Sequence, residues 1–80
     1  MTYILFTTKA TQNYASDVKE VAAEMGVKLN HVDVDDNHHA AAFYGVTKVP
    51  VLIKAKGDTG DVIDSLLGVH GKPAIRSFFQ

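Results

Sequence analysis

The 80 residues of this chain are enough for one small domain, and a chain of this size buries only about two-thirds of the surface that it exposes when unfolded. Its composition, with 46% hydrophobic and 21% charged residues, is that of a soluble globular protein. The net charge of −1 and the scattered lysines and arginines exclude nucleic acid and anionic membrane surfaces as main partners, since both need a basic patch. Because there is no cysteine, disulfides, thiolate metal sites and dithiol redox chemistry are excluded as well.

The first half of the chain predicts a strand, a helix and a second strand. Apolar residues 3–6 predict a strand that is covered on both faces, followed by a polar loop over residues 7–13. From residue 14 to residue 25 the apolar side chains recur at helical spacing on one stripe, formed by Tyr14, Val18, Val21, Ala22 and Met25. Thr11 or Asn13 is the expected cap of this helix and Gly26 its left-handed stop. Residues 29–34 predict the second strand.

The second half predicts a short helix, two strands and a final helix. A helix is expected over residues 38–44, where Gly45 ends it, and a buried strand over residues 49–53. A turn at residues 56–60 leads to a strand over residues 62–67, which makes a hairpin. Gly68 and Gly71 then break the chain, and Pro73 suits the first turn of the last helix. Alternating strands and helices predict parallel pairing through right-handed crossovers, with the hairpin adding an antiparallel strand.

This β-α-β-α-β-β-α order, in one α/β domain spanning residues 1–80, resembles the thioredoxin fold in its glutaredoxin form, a four-stranded mixed sheet with three helices. The chain is similar to glutaredoxin-like redoxins, including those that reduce ribonucleotide reductase, in four separate segments. They are Phe6-Thr7-Thr8-Lys9, residues 26–34 from Gly26 to Val34, residues 45–51 around Pro50, and Gly68 with Gly71-Lys72-Pro73. The resemblance covers nearly the whole chain.

The resemblance places the two cysteines of the redoxin site at Gln12 and Ala15, so that Cys-x-x-Cys reads Gln12-Asn13-Tyr14-Ala15. A register one residue earlier reads Thr11-Gln12-Asn13-Tyr14. Neither register holds sulfur, and thiol–disulfide exchange requires a thiolate that attacks a disulfide. The redoxin reaction is therefore excluded, and no catalytic residue is assigned.

The binding surface of the redoxins does not depend on sulfur, so the resemblance still implies such a surface in this chain. The resemblance implies a cis Val49-Pro50 bond whose backbone pairs with an extended peptide or with glutathione. The first helix would offer its positive N-terminus to an anion or a carbonyl group. Lys9 would supply a cation for a carboxylate, with Gly68, His70 and Lys72 on the other side of the ligand. We therefore expect a non-catalytic protein that binds a peptide, a protein segment or a glutathione-like ligand.

Other functions remain open from the sequence. One is a regulatory or interaction protein, such as a phage-encoded factor, that uses another surface. A second is an enzyme without cysteine that activates a bound glutathione thiol through Tyr14, Thr11 or Lys9. Aspartates 33, 35 and 36 followed by His38 and His39 suggest a metal site, but helix capping explains them better, since adjacent histidines point in different directions on a helix. We expect no metal, no cofactor and, with no basic leader sequence, a cytoplasmic protein.

Overall fold

A computed structural model describes all residues from 1 to 80 and contains the seven predicted strands and helices in the predicted order. The strands are β1 (Thr2–Thr7), β2 (Leu29–Asp33), β3 (Val51–Ala55) and β4 (Val62–Leu67). The helices are α1 (Gln12–Glu24), α2 (His38–Phe43) and α3 (Lys72–Phe79), and one 3-10 turn (Lys9–Thr11) precedes α1. No helix combines the length and the apolar character that a membrane crossing requires.

The four strands form one mixed sheet in the order β2-β1-β3-β4. β1 and β2 are parallel, as predicted, and β3 and β4 form the antiparallel hairpin. The expectation that β3 also runs parallel was wrong, because β3 is antiparallel to β1. A parallel return needs a crossover that spans the sheet, and the six residues of α2 rise only about 9 Å, against roughly 17 Å for a strand of five residues.

The two central strands are buried on both faces, which divides the apolar residues into two groups. On one face Leu5 and Leu52 contact α1 and α3, and on the other Phe6, Val51 and Ile53 contact α2 and the segment that follows it. Successive side chains of a strand point to opposite faces, so the continuous apolar run of β1 serves both groups. The predicted stripe of α1 is confirmed: Tyr14, Val18, Val21 and Ala22 are buried, and Met25 packs at the edge of the cluster.

Two elements begin two residues away from their predicted starts. α1 begins at Gln12 rather than Tyr14, because the expected loop contains a 3-10 turn that runs directly into the helix. β3 begins at Val51 rather than Val49, since the Val49–Pro50 bond is cis and precedes the ladder. Gly26 and Gly45 have the positive φ angles, 67° and 68°, that end α1 and α2.

The last helix is held to α1 mainly by apolar contacts. Ile75 and Phe79 are buried in the cluster beneath α1. Two ion pairs, Lys72 with Glu20 and Arg76 with Glu24, join the helices at their exposed sides. Their side chains are between 39% and 53% exposed, so each pair contributes less than about 1 kcal/mol, whereas burying Ile75 contributes about 1.5–3 kcal/mol.

Candidate functional site

Most of the residues that the sequence singles out lie at one end of the sheet, where strands begin or finish. β1 ends there at Thr7, next to the start of β3, because Phe6 pairs with Val51. β4 ends at the same edge, where Leu67 pairs with Val51. The start of α1, the Val49–Pro50 bond and the Gly68 turn therefore lie at one end of the molecule, which we call the α1 edge.

The approach to α1 is fixed by two threonines and one aspartate. The Thr8 amide donates to Thr11 Oγ1 at 2.9 Å, and the Thr11 amide donates to the Thr8 carbonyl at 3.0 Å. Thr11 is the N-cap of α1, as predicted, but its hydroxyl makes no capping bond to that helix. The Lys9 amide donates to Asp35 Oδ2 at 3.2 Å, and the Lys9 ammonium forms no ion pair.

The positions assigned to the lost cysteines differ in exposure. Gln12 is exposed, and its side-chain amide donates to Asp33 Oδ2 at 3.1 Å. Ala15, one turn later, is buried against the core. Gln12 therefore faces solvent at the α1 edge and Ala15 does not.

Tyr14 is a core residue with an unusual hydroxyl group. Its side chain is 4% exposed, and its hydroxyl has no hydrogen-bond partner. Burial raises the pKa of Tyr14 above its usual value of 10; the approach of the His70 backbone offsets part of this, and the charge of Asp17 adds to it. A phenol held neutral in this way is a poor proton acceptor for activating a thiol, which weakens the interpretation of Tyr14 as a catalytic group.

The Val49–Pro50 segment offers unpaired backbone groups. Pro50 is buried, and its carbonyl accepts a hydrogen bond of 2.8 Å from the Gly68 amide. The N–H and C=O of Val49 make no hydrogen bond within the chain. The Gly68 amide therefore already has a partner in the turn beside Pro50, where Gly68 has a φ of 90° that suits glycine. The backbone N–H and C=O of Val49 have no partner.

His70 and Lys72 are engaged elsewhere in the fold. His70 Nε2 is 2.7 Å from the carbonyl oxygen of Leu67, and Lys72 pairs with Glu20 on α1. Of the predicted ligand residues, the α1 edge therefore brings together Lys9, Val49, Pro50 and Gly68. His70 and Lys72 border this group and already have partners within the chain.

Two residues that sequence reasoning missed lie beneath the start of α1. Thr7 is completely buried, and its Oγ1 is 2.7 Å from His31 Nε2 on β2. Burial lowers the pKa of His31, the charge of Lys19 lowers it further, and Asp33 opposes both. A hydroxyl group at the end of an otherwise apolar strand was the available signal for such a buried pair.

Polar side chains at the end of β2 and in the segment after it accept hydrogen bonds from backbone amides. Asp33 Oδ1 accepts from the Asp35 amide at 2.9 Å, and Asn37 caps α2 through the Ala40 amide. His38 Nδ1 is 3.1 Å from the carbonyl oxygen of Val34. No three histidine, aspartate or glutamate side chains lie together as a set of metal ligands.

The sheet order, the two helix layers and the cis-proline beside the start of α1 define a protein of the thioredoxin-like α/β fold. No protein-family model matches the chain. Thioredoxin of Bacillus subtilis is 36% identical to it over 61 residues, which are 74% of this chain and 57% of that protein. This chain therefore spans little more than half the length of that relative.

Solved structures extend the likeness to nearly the whole chain. Fasciola hepatica thioredoxin is 30% identical, with a TM-score of 0.78, over 95% of this chain and 74% of that chain. Thioredoxin 1 of Thermosipho africanus gives a TM-score of 0.79 over 99% of this chain and 90% of its own, and at 15% identity it supports the fold alone. On this evidence the chain belongs to the thioredoxin family. Its lack of cysteine sets it apart from the dithiol chemistry described above.

Proposed function

We propose that this protein is a non-catalytic member of the family that binds an extended peptide or protein segment along Val49 at the α1 edge. The observation that carries the proposal is the pair of free backbone groups on Val49 beside the start of α1. A residue whose N–H and C=O are both without partners can pair with the backbone of an extended peptide, as in strand addition. From the resemblance of the four segments quoted above, we also propose that the protein is of the glutaredoxin-like redoxin type.

The charges around α1 favour a peptide over glutathione. Asp33 and Asp35 both place carboxylate oxygens beside the approach to the helix, where they bond to Gln12 and to the Lys9 amide. The Lys9 ammonium is the unpaired positive group there. A ligand with two carboxylates meets repulsion that a neutral backbone avoids, so we rank glutathione second.

A cysteine-free enzyme acting on bound glutathione is the less favoured alternative. It would need an accessible hydroxyl group that donates a hydrogen bond to a thiolate, and the Tyr14 side chain is buried. Thr11 Oγ1 is already bonded to the Thr8 amide and carbonyl. Turnover of an electrophile with glutathione would reverse this ranking.

The test is an amide chemical-shift titration with two probes, a capped Thr-Val-Thr-Val-Thr peptide and reduced glutathione. We expect the peptide to shift the amides of Lys9, Gln12, Val49 and Gly68, and glutathione to do so more weakly. A titration that leaves all four unchanged with both probes contradicts the proposal.

A variant pair separates the backbone contact from the charge contact. Lys9→Gln should weaken the binding of glutathione and leave the binding of the neutral peptide unchanged, because only glutathione presents carboxylates. Lys28→Gln is the matched control, since Lys28 is exposed just before β2, away from the α1 edge.

A further inference from the structure

We propose that a cavity on the α2 face of the sheet binds the C-terminal residue of a partner polypeptide. The apolar side chain of that residue enters the cavity, and its terminal carboxylate pairs with Lys48. The lining contains none of the residues assigned to peptide binding at the α1 edge, so this second site goes beyond the proposed function.

The cavity exists because α2 is too short to cover the whole sheet. The apolar cluster beneath α2 draws its buried residues from α2, β1 and β3, and none from β4. The floor is formed by the exposed side chains of Val62, Ser65 and Leu67 of β4, next to the buried side chains of Val51 and Ile53 of β3. Residues 44–48, which follow α2, form the wall. The volume of the cavity is about 250 Å³.

The size and openness of the cavity indicate part of a larger molecule. Sites for whole small ligands are commonly about 300–1,000 Å³, so this volume suits a single large side chain. Val62 and Leu67 in its floor are 45% and 52% exposed. Because the cavity is open to solvent on that side, its occupant can continue outward as a polypeptide.

The charge at the rim selects an acidic group. Lys48 lines the cavity, is exposed and takes part in neither ion pair of the protein. No carboxylate side chain occurs among the ten lining residues. One residue must therefore bring an apolar group and a carboxylate together over a short distance, which a C-terminal Phe or Leu does.

The backbone edge of β4 is partly blocked to strand addition, which favours recognition through side chains. The Gly68 amide continues the ladder to Pro50, so Ser65 and Leu67 lie in positions whose backbone groups point away from β3. The outward Ser65 amide is bonded to Asp64 Oδ1 at 2.8 Å, and the outward Leu67 carbonyl lies 2.7 Å from His70 Nε2. A partner on this side therefore finds two backbone groups of the strand edge already bonded, whereas the cavity is open.

The test compares N-acetyl-phenylalanine with its neutral amide by chemical-shift titration of the full chain. We expect the acid to shift the amides of Val46, Val51, Ser65 and Leu67, and to bind about fivefold more tightly than the amide, the upper range of an exposed ion pair. Lys48→Gln should remove that difference. Lys56→Gln, at the exposed hairpin turn, should preserve it.

Four outcomes would overturn the proposal. The acid and the amide would bind equally, or Lys48→Gln would bind the acid as the unmodified protein does, or the shifts would fall at Lys9, Gln12 and Val49 instead. Loss of peptide binding at the α1 edge with this cavity still active would contradict only the proposed function. Cavity shifts that grow with protein concentration, without a probe, would assign the face to a second copy and also overturn the proposal.

Discussion

Gln12 and Ala15 lie one turn apart in α1, the first exposed and the second buried. Thiol exchange on this scaffold would need an accessible attacking thiolate and a second thiol close behind it. We expect the Gln12→Cys/Ala15→Cys double variant to reduce a disulfide substrate catalytically, where the unmodified protein has no sulfur for the reaction. The measurement is turnover of insulin disulfides with a dithiol as reductant.

The alternative register supplies the control for this prediction. Thr11→Cys/Tyr14→Cys should remain inactive, because its attacking thiol would replace Thr11, which precedes α1 and is half-buried, whereas Gln12 is exposed in the first turn of the helix. Circular dichroism must show that this variant is folded, since it removes a buried aromatic ring. Equal activity of the two variants would show that the register through Gln12 is wrong.

His31 links the stability of the protein to pH. Its folded-state pKa is lowered, chiefly by burial, so below the usual value of 6.5 the unfolded chain takes up a proton before the folded protein does. The free energy of unfolding therefore falls as pH decreases from about 6.5, until the folded state is protonated too. Above pH 6.5 His31 is neutral in both states and adds no pH dependence.

The prediction is that His31→Gln flattens this acid-side loss between pH 7 and pH 5. Urea unfolding at a series of pH values measures it, as the difference between variant and unmodified protein, which cancels most of the carboxylate contribution. His39→Gln is the matched control, since His39 is exposed at the start of α2. Identical pH profiles for His31→Gln and the unmodified protein would contradict the prediction.

At the level of elements, β4 is an edge strand that is protected by side chains rather than by a neighbouring strand. The Ser65 amide donates to the Asp64 carboxylate, and His70 Nε2 lies within hydrogen-bond distance of the Leu67 carbonyl. The apolar side chains on this strand are about half exposed, namely Val62, Ile63 and Leu67. Exposed apolar edges promote pairing between chains unless they are blocked. We expect Asp64→Ala/His70→Ala to self-associate at concentrations where the unmodified protein has a lower mass by light scattering.

A third substitution tests whether the backbone edge is the cause. Adding Ser65→Pro removes the outward amide and should reverse the association, since proline is tolerated at the open side of an edge strand. Association that persists in the triple variant would assign it to apolar side chains instead. Asp58→Ala, in the hairpin turn, should leave the mass unchanged.

The elements show what sequence reasoning reaches and where it stops. Gly26, Gly45 and the stripe of α1 were predicted because they depend on local conformation and on the helical period. The direction of β3 was not, because it depends on how far α2 reaches. Site contacts such as Gln12 with Asp33 and Lys72 with Glu20 join residues 21 and 52 positions apart. No local pattern encodes those partners, so Lys72 looked free for a ligand.

Considered as a whole molecule, the protein has two apolar clusters that share the same central strands. Ile4 belongs to the cluster beneath α2, and its neighbour Leu5 to the cluster beneath α1 and α3. If β1 and β3 unfold, the apolar residues of both clusters become exposed to solvent. The two faces should therefore unfold together, in one transition, as single domains of this size usually do.

Matched substitutions on the two faces test this coupling. Ile4→Val on the α2 face and Ile75→Val on the α1 and α3 face each remove one methylene group from a side chain that is at most 4% exposed. Each should lower the free energy of unfolding by about 0.5–1.5 kcal/mol, and the melting temperature by about 4–8 °C per kcal/mol. Far-UV circular dichroism and tyrosine fluorescence should report the same midpoint in both variants. Separate midpoints in either variant would mean that the clusters unfold independently, and that β1 and β3 do not couple them.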